Sequence, residues 1–336
     1  MQTQLKSTRR RALNNMLGGL CLALGLAGTG VAASAADYPG RPISVLVGYA
    51  PGGGSDLIVR LLAPYIQKEL GQGAILTVLN HPGAGGAIAF AELARAKPDG
   101  YTIGLINTPN VLTIPIERKT TYKWTDYDLL GNIVDDPDNF SVRADSPVKS
   151  LRDLAAYAKA HPNEVTVGTT GVGSDDHLAM LKFERGAGVQ MIHVPFKGAS
   201  EVRTALQGGQ ITLAAVNIGE ALQFEKGGGE FRNLGVMAES RTDLAPDLPT
   251  FKEQGYDITL SSLRGLAAPK GLPPEVRQRL VDAVGRAIAN PEFQKKARSM
   301  FAPLRYLAPQ QYKAELSMEE EQFRQLWKTM PWRDDK

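Results

Sequence analysis

Residues 43–70 read ISVLVGYAPGGGSDLIVRLLAPYIQKEL, and the architecture follows from this stretch. Ile43 to Val47 is a short, nearly continuous apolar run rich in β-branched residues, the pattern of a strand buried on both faces. Pro51-Gly52-Gly53-Gly54 interrupts it. Leu57, Ile58, Leu61, Leu62, Tyr65 and Ile66 then recur at the spacing of one helix face. The same punctuation continues along the chain, with strand candidates at 74–79, 101–106, 165–169, 191–194, 211–216 and 231–237, and helices including 151–159, 177–186 and 199–207. Alternation of this kind predicts an α/β protein whose mostly parallel sheets carry helices on both faces. After residues 268–273 the texture changes to three helical stretches starting at Pro273, Pro291 and Pro309, with no strand between them, expected to wrap back over the first sheet.

The chain has 336 residues, enough for two domains, and its 43% hydrophobic and 22% charged content excludes an intrinsically disordered chain. One cysteine, Cys21, excludes a disulfide framework and a Cys-ligated zinc site. The formal charge of +3 suggests a nucleic-acid partner until its location is considered. Lys6, Arg9, Arg10 and Arg11 precede an uncharged run from Ala12 to Ala33, and Ala33-Ser34-Ala35 offers a small-x-small cleavage pattern. Residues 1–35 therefore read as a signal peptide cut after Ala35, with Sec and twin-arginine export both open. Its removal takes four of the 38 basic residues and no acid, leaving 34 against 35, so no nucleic acid is expected. No later stretch is long and apolar enough to span a bilayer, which places the mature chain in the periplasm.

Three glycine loops are candidate sites. Pro51, Gly52, Gly53, Gly54, Ser55 and Asp56 follow a strand and open a helix, so backbone N–H groups and the helix dipole favour an anion there; an ordinary capped turn is the alternative. Gly173, Ser174, Asp175 and His177 repeat the arrangement, with Ser174 placed to cap the next helix. The loop around Gly85 and Gly86 is expected to pass close to the first. Asn107 and Asn217 follow strands, where open α/β sheets place ligands. A Ser174–His177 nucleophile lacks an elbow motif and a third partner, and a metal at Asp175, Asp176 and His177 lacks a partner at ligand spacing. No metal or cofactor is expected.

The ordered series YAPGGGSD (from Tyr49), NHPGAGGAIA, KPDGYT, GVGSDDHLA, HVPFKG, LQGGQI and APKGLP resembles the Bug-type solute-binding proteins of tripartite tricarboxylate transporters across most of residues 38–315. The resemblance implies a two-lobed, Venus-flytrap periplasmic binding protein of type II-like form, each lobe a mixed, mostly parallel sheet flanked by helices. Segments 139–143 and 258–265 would cross between lobes, giving lobe 1 as 36–137 plus 263–336 and lobe 2 as 138–262. It further implies a monomeric, non-enzymatic receptor that holds a small organic carboxylate, often through bridging waters, between the loops at Pro51–Asp56 and Gly171–His177, and delivers it to membrane permease subunits. Tyr49 belongs to the first of these motifs.

Two departures from the family pattern bear on the ligand. Asp175 and Asp176 stand where many members have small polar residues, and Arg264 precedes Gly265 near a position where many have Trp. Arg264 either approaches the cleft and pairs with a second ligand carboxylate or pairs internally with an acid such as Asp175 or Asp176. An ammonium-bearing ligand at Asp175 or Asp176 is a further possibility. A binding protein reporting to a sensor kinase, and an exported Ser/His hydrolase, remain the alternative functions.

Overall fold

The computed structural model describes residues 38–71 and 73–333; the leader predicted over residues 1–35 lies outside them. β1 (Ile43–Val47) runs between β2 (Leu76–Asn80) and β3 (Thr102–Asn107), parallel to both. All of its residues but Ser44 are buried, as its apolar run requires. α1 (Gly54–Leu70), α2 (Ala87–Arg95) and α3 (Asn110–Glu117) follow the three strands in turn.

The spine is β4 (Tyr127–Arg143), 17 residues long. Its first part pairs antiparallel with β9 (Ser261–Pro269), from Tyr127 opposite Pro269 to Pro137 opposite Ser261, and β9 pairs antiparallel with β3. From Asp138 onward the neighbours of β4 are β7 (Leu213–Asn217) and β8 (Phe231–Val236). Pro137, which has no N–H to donate to a ladder, stands at this changeover. β5 (Thr166–Thr169) lies parallel to β7 and to β6 (Ile192–Pro195), so the strand order is β2-β1-β3-β9-β4-β7-β5-β6, with β8 and β10 (Leu304–Leu307) attached to β4.

The second half of this sheet carries α4 (Leu151–Ala160), α5 (Asp175–Ala187), α6 (Ala199–Gln207) and α7 (Ile218–Lys226). The tail forms α8 (Pro274–Ala289), α9 (Pro291–Ser299) and α10 (Pro309–Thr329), with α8 packed on α1 and α10 on α3. The expectation of a strand-free tail is corrected by β10, a four-residue strand between α9 and α10. It pairs with β4 through a bulged register, too short and irregular to leave a periodic signal.

Separate cores lie under the two halves. Leu46, Phe90, Ile106, Tyr127, Leu263 and Tyr312 belong to one, and Phe140, Leu154, Val167, Phe183, Phe251 and Trp332 to another. The C-terminal segment is shared between them: α10 contributes Tyr312 and Leu316 to the first core, whereas Trp332, past its end, is fully buried in the second. No helix among the described residues is long and apolar enough to cross a membrane.

The loops at the carboxyl ends of the first strands meet closely. A Cβ on Gly48 would lie 2.8 Å from the Gly86 Cα, a backbone atom that cannot swing aside. Gly48→Ala should therefore cost about 1–3 kcal/mol by overpacking and lower the thermal midpoint by several degrees; a midpoint unchanged from the parent would refute this account of the contact.

Candidate functional site

The carboxyl ends of β1, β3, β5 and β7 open onto one buried polar cluster, at the place where β4 changes partners. Arg264 of β9 is its centre. It is 5% exposed, with Nη1 3.3 Å from Asp136 Oδ2 and Nη2 2.6 Å from Asn217 Oδ1 and 3.2 Å from Glu220 Oε1. Of the two roles open from the sequence, the structure displays internal pairing, but with Asp136 and Glu220. Asp175 is hydrogen-bonded to the cluster through Asn217, whose Nδ2 donates to Asp175 Oδ2 at 2.7 Å and to the Asp136 carbonyl at 2.8 Å.

The first glycine loop presents donors as expected, and the chain's own carboxylates take them. Gly54 N–H donates to Glu220 Oε1 at 2.7 Å and Gly52 N–H to Asp56 Oδ2 at 2.9 Å. A Cβ on Gly54 would stand 2.5 Å from Glu220 Oε1 and 2.6 Å from Arg264 Nη1, so any larger residue there forces the buried Glu220–Arg264 pair to shift. Gly53 is the residue before α1 and no side chain caps that helix, so neither Ser55 nor Asp56 plays the capping part. Both are buried. Asp56 instead organises the loop, accepting also from Arg60 and Asn80; although burial opposes it, these bonds and that from Gly52 hold its carboxyl below the usual range. The Pro51 carbonyl accepts from Ser200 at 3.0 Å, which joins this loop to α6.

In the second loop Ser174 caps α5, its Oγ accepting from His177 N–H at 3.2 Å. The Gly173 carbonyl accepts from Thr113 at 2.6 Å. The His177 ring lies apart from the Arg264 cluster. Its Nδ1 accepts from Gly173 N–H, and the ring stacks on His193 with centroids 3.9 Å apart, facing a recess shared with Met180, Met191 and Arg333. Tyr49 and Asn107 meet above the cluster, Tyr49 Oη donating to Asn107 Oδ1 at 2.8 Å. Burial, with Asp175 and Asp176 nearby, raises the Tyr49 phenol well above its ordinary range.

Sequence reasoning missed Asp136, Asp138 and Glu220. The first two are buried and alternate on β4 in Asp136-Pro137-Asp138, a period-two pattern that a proline disguised. Glu220 sits in the first turn of α7, after Asn217-Ile218-Gly219, a further strand–turn–helix junction with only one glycine. Asp138 also supplies the third carboxylate that spacing could not reveal, because its oxygens approach those of Asp175 and Asp176. Five buried carboxylates thus share this region with one guanidinium, which pairs with Asp136 and Glu220 alone among them. Burial lifts Asp138, Asp175 and Asp176 above the ordinary carboxylate range, and lifts Asp136 to about 7 despite the nearby Arg264.

A sequence profile described as the tripartite tricarboxylate transporter family receptor matches residues 58–325. The chain belongs to this receptor family. A Cupriavidus necator relative, the UPF0065 protein in the gbd 5' region, is 36% identical over 291 residues, covering 86% of this chain and 88% of its own. The periplasmic binding protein BugD superposes with a TM-score of 0.83 at 30% identity, over 88% of this chain and 99% of BugD. The R. palustris protein Rpa4515, solved with adipate, gives 0.82 at 27% identity, over 88% and 98%. The receptor fold is therefore the two-lobed α/β form of periplasmic binding proteins, in a family of binding proteins.

The acids of the cluster make receptor stability depend on pH. The folded carboxyl of Asp136 titrates near 7 whereas an unfolded one titrates near 4, so the native chain binds the extra proton between those values. The associated stability is fully present below the unfolded value and is lost as pH rises through 7. Melting curves should show the midpoint climbing as pH falls from 8 to 5, with a shallower climb for Asp136→Asn; a midpoint that falls over this interval contradicts the assignment.

Proposed function

We propose that this chain is an extracytoplasmic solute-binding protein that captures a small organic acid between two lobes and delivers it to the permease subunits of a tripartite transporter. The leader over residues 1–35 would be cut after Ala35, and the mature receptor would act as a monomer in the periplasm. The lobes would be residues 36–137 with 263–336, and residues 138–262, a division that agrees with the change of partners of β4 at Pro137 and Asp138.

The observation that carries this reading is the carboxylate at the first glycine loop. Gly54 N–H, at the amino end of α1, holds the Glu220 carboxylate at 2.7 Å, so the loop has the shape and polarity to receive such a group. A ligand carboxylate would compete with Glu220 for this donor. The adipate in Rpa4515 agrees with an acid as ligand. Tyr49, Asn107, Ser174 and Asn217 would line the rest of the site, and charge-assisted bonds from backbone N–H groups would contribute a few kcal/mol.

A thermal-shift screen against di- and tricarboxylates, aromatic acids and amino acids tests the proposal. A true ligand at about 100 times its Kd should add roughly 2.7 kcal/mol of stability. If no carboxylate moves the curve while a neutral sugar or a metal ion does, the reading is wrong. Glu220→Gln, which leaves a neutral and weaker competitor at Gly54, should tighten the best acid several-fold in calorimetric titration; weaker binding would mean that Glu220 supports the ligand and does not compete with it.

A further inference from the structure

Asp138 of β4 and the pair Asp175 and Asp176 in the first turn of α5 bring carboxylate oxygens within 4.8 Å of one another. Their exposures are 0%, 3% and 1%. One oxygen of each is engaged: Asp138 Oδ1 by Asn139 N–H, Asp175 Oδ2 by Asn217, and Asp176 Oδ2 by the N–H and hydroxyl of Thr170. Asp138 Oδ2 and Asp176 Oδ1 are buried without any hydrogen-bond partner. A buried carboxylate oxygen left unpaired is costly, and two beside a third acid demand a donor or a positive charge. Arg264 does not supply it, because its two terminal nitrogens face Asp136, Glu220 and Asn217.

Resting on the receptor reading above, we propose that Asp138, Asp175 and Asp176 form a cation subsite that takes the primary ammonium group of the bound solute. An ammonium offers three N–H donors, one for each carboxylate, and its charge offsets the excess of acid in the cluster. The same solute presents its carboxylate to the α1 loop. The ligand class is accordingly amino-carboxylic acids, and the desamino acids of the same length are discriminated against, because they leave Asp138 Oδ2 and Asp176 Oδ1 without a partner.

Calorimetric titration with matched pairs that differ only in an amino group tests this: propionate with alanine, succinate with aspartate, glutarate with glutamate, and 3-phenylpropionate with phenylalanine. Magnesium, calcium and manganese chlorides are titrated alone. In any pair that binds, the amino member should be at least tenfold tighter. Asp138→Asn and Asp176→Asn should each erase most of that preference while the desamino affinity stays within about threefold, with circular dichroism confirming the fold. Equal affinities within the pairs, or a preference that survives both substitutions, overturns the subsite and leaves the receptor reading standing. Saturation by a metal ion alone, abolished by the same substitutions, also overturns it, since the cation is then inorganic. Failure of every acid in this panel and in the broader thermal-shift screen removes the receptor reading and the subsite together. The matched-pair comparison needs only the parent chain, so a variant that does not fold leaves the test intact.

Discussion

The Arg264 guanidinium, buried against Asp136, Glu220 and Asn217, is the interaction on which the centre of the molecule depends. Through one side chain it connects β9, β4 and the β7–α7 junction, and Glu220 carries the connection on to the amino end of α1. A charge taken out of water is tolerated only when it is paired and its hydrogen bonds are met. Nearby acids more than offset the burial that would lower its affinity for a proton, so the guanidinium stays charged. The geometry of both glycine loops is referred to that fixed charge.

Around it the balance is uneven by design of the fold. Strand ends and helix starts converge on the cluster, and their N–H dipoles stabilise negative charge, which is what lets so many carboxylates gather there. The chain satisfies most of these dipoles with its own acids: Asp56 at Gly52, Glu220 at Gly54, and Asp176 at Thr170. On the proposed receptor reading, recognition here would be an exchange, in which a solute replaces internal partners of similar chemistry. Selectivity would then rest on the few oxygens that the exchange leaves unmatched.

Much of this was legible in the sequence because it was local. The run from Ile43 to Leu70, the cap at Ser174 and the close passage of the loop at Gly86 follow from patterns a few residues long. What escaped was set by partners far away. β4 carries Asp128, Asp135, Asp136, Asp138 and Pro137, a composition hostile to a strand, and becomes one because β9, β7 and β8 complete its ladders. Asp138 reads as a turn residue beside Pro137, yet the sheet delivers it to α5. His177 follows Ser174 by one helical turn, and its N–H bonds to the Ser174 Oγ, but its ring turns to His193. The rotamer that stacks it on His193 depends on β6, which sequence spacing cannot report.

The burial of Trp332 sets a mechanical condition on the two halves. Its chain segment is rooted in one core through Tyr312 and Leu316 and ends in the other. An indole of this kind hides about 150–250 Å², worth on the order of 4 kcal/mol or more at 25 cal/mol per Å². A motion that pulled the indole out of its core would carry that cost. The segment between Leu316 and Trp332 thus ties the two cores together, and a displacement that leaves the indole seated is the less costly way to move one against the other.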